Sequence, residues 1–123
     1  MEKNKTFCVI EDNSVNRKLF SMLIKRSGYN IVDFGNANDA LQWLKDNYVD
    51  LIILDILLPD MNGSEVLSNI RQFSHLQNTK VIAITGFSSN YDKEKFLSMG
   101  FDGFLAKPIN TATFVADLEQ FFK

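Results

Sequence analysis

The chain contains one cysteine, one histidine, one tryptophan and two prolines among 123 residues. A single cysteine excludes an intramolecular disulfide framework and a cysteine-rich zinc site. A single histidine argues against a histidine-built metal centre. Long apolar runs are missing as well. The lysine-bearing start Met1-Glu-Lys-Asn-Lys5 is followed only by the short run Thr6–Ile10, too short for a signal-peptide core. No stretch approaches the roughly 20 apolar residues of a membrane span. Nor is one sign of charge in large excess: 13 Lys and Arg stand against 15 Asp and Glu, a net charge of −2. Such a balance creates no global field favouring nucleic acid or an anionic membrane. These absences predict a cytoplasmic protein whose Cys8 is a free thiol in a strand. What is present is ordinary for one globular domain: 46% hydrophobic and 23% charged residues. That composition excludes a disordered tail, a collagen-like chain and a mucin-like stalk. The eleven Phe residues are assigned to the core.

Strand and helix patterns alternate along the chain. Thr6–Ile10 is β-rich and stops at Glu11-Asp12-Asn13. A helical pattern follows, with Val15, Leu19, Met22 and Leu23 on one face, Asn13 or Ser14 as its cap, and Gly28 just past its end. Ile31–Phe34 reads as a second strand. Asn36-Ala-Asn38 opens a helix bearing Ala37, Ala40, Leu41 and Leu44. Leu51-Ile-Ile-Leu54 is apolar at every position and ends in Asp55, as in a parallel strand buried on both faces. Pro59-Asp-Met-Asn-Gly63 signals a turn before a helix over Glu65–Phe73. Val81–Ile84 is a fourth strand, ending at Thr85-Gly86. Tyr91–Met99 is a weakly amphipathic helix stopped by Gly100. Phe104–Ala106 is a fifth strand, ending at Lys107-Pro108. A last helix spans Thr111 to Phe122, capped by Asn110, with Phe114, Leu118, Phe121 and Phe122 inward. The alternation predicts an α/β fold: a doubly wound, five-stranded parallel sheet covered by five helices, one domain over residues 1–123.

Ligands of such sheets bind beyond the carboxyl ends of the strands. Those ends here offer Glu11 and Asp12, then Asp55, then Thr85, then Lys107. Neither GxGxxG nor GxxxxGK[ST] occurs, so the first loop is no glycine cradle for a dinucleotide or nucleotide phosphate. Two acids occupy it instead. Facing Asp55 they repel one another, and a hard divalent cation such as Mg²⁺ relieves the repulsion. Taken singly, each residue has an ordinary explanation: solvated loop acids, a strand-end hydroxyl, a solvated lysine. Acid, acid, hydroxyl and amine together at four strand ends point to phosphoryl chemistry, with Asp55 able to carry an acyl phosphate. Three other polar or aromatic positions take plain readings: His75 solvated, Trp43 partly exposed, and Asp60 structural rather than metal-ligating.

The sequence resembles a response-regulator receiver domain of two-component phosphorelays. The resemblance covers essentially the whole chain. It rests on Glu11-Asp12-Asn13, on Asp55-Ile-Leu-Leu-Pro59-Asp-Met-Asn-Gly63, on Thr85-Gly86 and on Lys107-Pro108. It implies a flavodoxin-like strand order 2-1-3-4-5. It implies that Asp55 is the phosphoacceptor, taking its phosphoryl group from a phosphohistidine. Mg²⁺ would be held by Asp12, by Glu11, by Asp55 and by the backbone carbonyl of Leu57. Lys107 and Thr85 would each meet a phosphoryl oxygen. The Lys107-Pro108 bond is expected to be cis. Thr85 and Phe104 would form the switch, Phe104 entering space that Thr85 vacates, with no hydroxyl for readout.

Leu57 and Phe87 stand two residues after Asp55 and Thr85. Polar groups there assist an attacking water, so two apolar ones predict a long-lived phosphoryl state. The expected partners are a sensor histidine kinase or histidine phosphotransfer protein and a downstream protein target, with no direct contact to nucleic acid or membrane. With no effector after Lys123, a stand-alone relay or binding regulator is expected. A receiver from a hybrid histidine kinase is the variant reading. An aspartate-nucleophile phosphohydrolase is the enzyme alternative, and Leu57 stands where that class commonly needs a second Asp. A receiver-like module without phosphorylation is disfavoured by the five polar site residues.

Overall fold

The structure is a computed structural model and describes residues 4–86 and 90–122. The elements run β1 (Thr6–Ile10), α1 (Ser14–Arg26), β2 (Asn30–Phe34), α2 (Ala37–Leu44), β3 (Leu51–Asp55) and α3 (Gly63–Gln72). Then follow β4 (Lys80–Thr85), α4 (Asn90–Ser98), β5 (Gly103–Ala106) and α5 (Phe114–Glu119). Single 3₁₀ turns occupy Ser74–Leu76 and Gln120–Phe122. The five strands form one parallel sheet in the order β2-β1-β3-β4-β5, the expected order. No helix among the described residues is long and apolar enough to cross a membrane.

Side chains alternate across a strand with period two, so each central strand feeds two cores. Phe7, Val9, Leu51, Ile53, Ile82 and Ile84 pack with Phe20 and Ile24 of α1 and Phe114 and Leu118 of α5. Cys8, Ile10, Ile52, Leu54, Val81 and Ala83 pack on the other face, against α2, α3 and α4. Burial on both faces is why Leu51–Leu54 shows no hydropathic alternation. Cys8 is a buried free thiol, and burial pushes its pKa up.

Three expectations about the helices need correction. The buried face of α1 is Phe20 and Ile24, while Val15 is 74% and Met22 45% exposed. Leu19 and Leu23 only border the core. Adjacent apolar pairs 19–20 and 23–24 fit two stripes about 100° apart. Packing decides between them, because Phe20 stacks on Phe114 at 5.2 Å. Replacing Ile24 by Ala is therefore expected to cost about 3 kcal/mol, and replacing Val15 by Ala under about 0.5 kcal/mol. Urea unfolding of the two variants checks this; equal losses would restore the Val15 face.

The α3 helix starts at Gly63 rather than Glu65. Asn62 Oδ1 accepts from the Glu65 amide and its Nδ2 donates back to Glu65 Oε1. Ile56 leaves little room for a side chain at Gly63: a Cβ there would sit 2.7 Å from Ile56 Cδ1 and 3.2 Å from its Cα. The α5 helix starts later than expected, at Phe114. Asn110 Oδ1 instead accepts from the Ala112 amide, and its carbonyl from the Thr113 amide, making a turn of residues 111–113. Of the two candidate caps for α1, Asn13 is the one used, accepting from the Asn16 amide, and α2 is capped by Asn36, which accepts from the Asp39 amide. Gly28 and Gly100 have φ of 96° and 110° and end their helices in the left-handed region. His75 is exposed but not free in solvent. Its Nε2 lies 2.7 Å from the Leu44 carbonyl oxygen, and its ring stacks on Phe73. Trp43 is half-buried against Phe34.

Candidate functional site

Register brings the site together. Ile10 pairs with Leu54, so Glu11 emerges beside Asp55 at the strand ends. Both continue the inward series Val9–Glu11 and Ile53–Asp55, so both side chains rise on the same face of the sheet. Asp55 pairs with Ile84, and Thr85 pairs with Ala106, which places Thr85 and Lys107 next in line. Glu11, Asp55 and Thr85 are 1%, 4% and 1% exposed, against an exposed Asp12.

The Lys107 ammonium lies between two of the acids, 2.8 Å from Glu11 Oε1 and 3.2 Å from Asp55 Oδ2. Asp55 Oδ1 accepts from the Leu57 amide at 3.0 Å. Glu11 is held at every polar atom but one. Its amide donates to the Phe34 carbonyl, its carbonyl accepts from Arg17, and Oε2 accepts from the Asn13 amide. The exception, Oε1, is buried and, among the described residues, makes no aligned hydrogen bond, but it lies in ion contact with Lys107. Burial pushes the Glu11 carboxyl up to about 7; Asp55 acts in the same direction, while Lys107 and the Asn13 amide oppose it. For Lys107, burial lowers the ammonium's pKa, but ion pairing with Glu11 and Asp55 outweighs it, and the net direction is up.

Oxygens of Glu11, Asp12 and Asp55 all lie within 4.8 Å of one another. Three convergent carboxylate oxygens, one buried and lacking a hydrogen bond, fit a hard divalent cation that prefers oxygen ligands. An all-protein cage is not needed, since such an ion retains waters and takes substrate oxygens. Asp55 offers a carboxylate that could act as a nucleophile, Lys107 a charge beside it, and a bound cation would add further neutralisation of an anionic electrophile.

The remaining expected residues fall as follows. Leu57 is 63% exposed, pairs across the loop with Asn62, and gives Asp55 its amide. The Lys107-Pro108 peptide is cis. Phe104 is half-buried, its ring stacked on Phe96 of α4 at 5.6 Å. Phe87 lies outside the described residues. Asp60 is structural, as expected: its carboxylate accepts from the Ala37 and Asn38 amides at the start of α2. The Ala37 bond chiefly draws its pKa down, against a desolvation cost. Sequence reasoning missed Arg17. Its guanidinium reaches from α1 to the carbonyls of Glu11 and Asp12. A charged residue on a helix gives no signal that it will hold backbone carbonyls of the preceding loop.

Fold and site together define a doubly wound α/β domain with an acidic pocket at the carboxyl edge of its sheet. The chain belongs to the response regulator receiver domain family, whose profile matches residues 7–119. It is 33% identical over 117 residues to the polar-differentiation response regulator DivK of Brucella anthropi, covering 95% of each chain. Chemotaxis response regulator CheY4 of Vibrio cholerae has the same fold at TM-score 0.90 and 24% identity, over 96% of this chain and 98% of that one. The receiver domain of a Pseudomonas aeruginosa sensor histidine kinase, solved with a magnesium ion in its active site cleft, superposes at TM-score 0.85. It is 24% identical, over 96% of this chain and 97% of that one.

Proposed function

We propose that this chain is a cytoplasmic phosphoacceptor in which Asp55 takes a phosphoryl group from a phosphohistidine. The donor is a sensor histidine kinase or a histidine phosphotransfer protein. In the step, an Asp55 carboxylate oxygen forms a bond to phosphorus as the P–N bond breaks. The electron pair of that bond stays on the imidazole, which takes up a proton, and the product is an acyl phosphate. The observation that carries the reading is the position of Asp55: buried at the end of β3, bonded to the Leu57 amide and Lys107, and ringed by Glu11 and Asp12. Glu11, Asp12 and Asp55 would hold Mg²⁺, joined by the Leu57 carbonyl. The magnesium of the Pseudomonas receiver supports that assignment. When bound, the ion neutralises charge on the transferring oxygens. Lys107 and Thr85 would each meet a phosphoryl oxygen. The chain would catalyse only transfer to, and hydrolysis from, its own Asp55. Its output would be a changed surface for a downstream protein, with Thr85 and Phe104 as the switch. The stack of Phe104 on Phe96 gives that switch a contact with α4.

The test is intact mass after incubation with Mg²⁺ and a small acyl phosphate, followed by mapping of the labelled peptide. One phosphoryl group per chain on Asp55, dependent on Mg²⁺, is expected. Multiple turnover on general phosphoesters would favour the hydrolase, and no labelling even from phosphorylated kinases would overturn the phosphoacceptor. The same samples report decay. Leu57→Asn/Phe87→Glu should lose its label faster than wild type, and equal or slower loss would remove the water-exclusion role given to these two side chains.

A further inference from the structure

We propose that Arg17 is a positioning residue for the acidic pocket, holding the backbone that carries Glu11 and Asp12 so that their carboxylates converge with Asp55. The proposal rests on the reading of that pocket as a divalent-cation site. Arg17 sits on the first turn of α1, after the cap at Asn13. Its Nη1 donates to the Glu11 carbonyl at 2.8 Å and to the Asp12 carbonyl at 3.4 Å. One guanidinium thus ties down two successive peptide units of the loop between β1 and α1. Asp33 at the end of β2 faces its Nε at 3.8 Å, and Ser21 donates to the other oxygen of Asp33 at 2.9 Å. The clamp therefore joins α1, β2 and the β1–α1 loop.

Gly35 supplies the room. A Cβ built there would lie 3.0 Å from Arg17 Nη1, the same atom that bonds the two carbonyls. The backbone of Gly35 is not in the left-handed region, so a Cβ there is opposed by contact with the guanidinium, which must shift by a few tenths of an ångström, rather than by its torsions. Asp12 has the most to gain. Glu11 is also fixed through its amide and its side chain, whereas the exposed Asp12 has its carbonyl held by Arg17.

Charge alone predicts the opposite of positioning. A guanidinium beside the pocket repels a cation, so if Arg17 acted only through its charge, removing it would tighten binding. If it positions, removing it loosens binding although the repulsion is gone. Outer residues that orient metal ligands typically change affinity by about 10–100-fold. Lysine keeps the charge but lacks the planar fork, and so cannot serve both carbonyls in the same way.

The experiment is calorimetric titration of the full chain with MgCl₂ for wild type, Arg17→Gln, Arg17→Lys and Gly35→Ala, with folding checked by circular dichroism. Arg17→Gln is expected to bind Mg²⁺ about tenfold more weakly, with Arg17→Lys intermediate. Gly35→Ala retains the arginine and displaces it, and should weaken binding about threefold, a fraction of the full loss. That variant decides the matter if Arg17→Gln does not fold. Folded Arg17→Gln with an affinity equal to or tighter than wild type overturns the positioning role, as does an unchanged Gly35→Ala. A wild type that takes up no Mg²⁺ overturns the cation reading itself and Arg17's role with it.

Discussion

Replacing Asp55 by Asn is expected to abolish phosphoryl uptake while making the metal-free protein more stable. The first half follows from chemistry: an amide is no nucleophile at neutral pH, so labelling should fall to background. The second half follows from the charges in the pocket. Three carboxylates, Glu11, Asp12 and Asp55, converge against one ammonium, Lys107. Asp55 is 4% exposed, so its charge is held largely out of water. Asparagine keeps the shape and can still accept from the Leu57 amide through Oδ1. It forfeits one contact with Lys107, which keeps Glu11 as its partner. No charge is stranded, and relief of the repulsion among three crowded carboxylates is expected to stabilise by about 1–2 kcal/mol. Urea unfolding in EDTA measures it. A lower midpoint for the variant would mean that Asp55 serves stability and that its function costs the fold nothing.

That contrast explains why so much of the site was legible in the sequence. Asp55 ends a strand of wholly apolar residues, and two further acids follow another such strand. Nothing in core packing accounts for such polar endings, so they stand out against the pattern. Parallel register then places them side by side; the parallel sheet follows from alternation, and the strand order that sets β1 beside β3 follows from the family resemblance. What was not legible depends on interactions across the chain. The inward face of α1 could not be chosen from Val15, Leu19, Met22 and Leu23, because Phe20 and Ile24 fit a helical stripe equally well until Phe114 is in place. The start of α5 was misplaced because Asn110 can cap a helix or close its own turn, and two threonines at 111 and 113 favour the turn. Arg17 escaped notice because its partners are carbonyls, which every residue has.

Replacing Lys107 by Met is expected to have the opposite profile to Asp55→Asn: a less stable protein that still has its nucleophile. Methionine keeps an unbranched stem but leaves Glu11 Oε1, buried and otherwise without a hydrogen bond, facing no cation. Removing one partner of a buried pair costs about 3 kcal/mol or more, because the other charge is stranded. The cost should depend on pH in a definite direction. Burial raises the folded Glu11 carboxyl to about 7, above the ordinary 4.5, and Lys107 is among the groups that hold it down. A carboxyl with a raised folded pKa contributes its stability below the unfolded value and loses it as pH rises through the folded one. With Lys107 gone that pKa rises further. The variant should therefore unfold near the wild-type midpoint at pH 5 and fall progressively behind it toward pH 8. Adding Glu11→Gln removes the stranded charge and should recover most of the difference at pH 8. Phosphoryl uptake should slow by about 10²–10³-fold, the usual loss when one charge-stabilising donor is removed from a transition state. The checks are urea midpoints in EDTA across that pH range and labelling rates with a small acyl phosphate. A stability loss that is the same at pH 5 and pH 8, or that survives Glu11→Gln, would mean that Lys107 acts through packing of its stem rather than by neutralising the pocket.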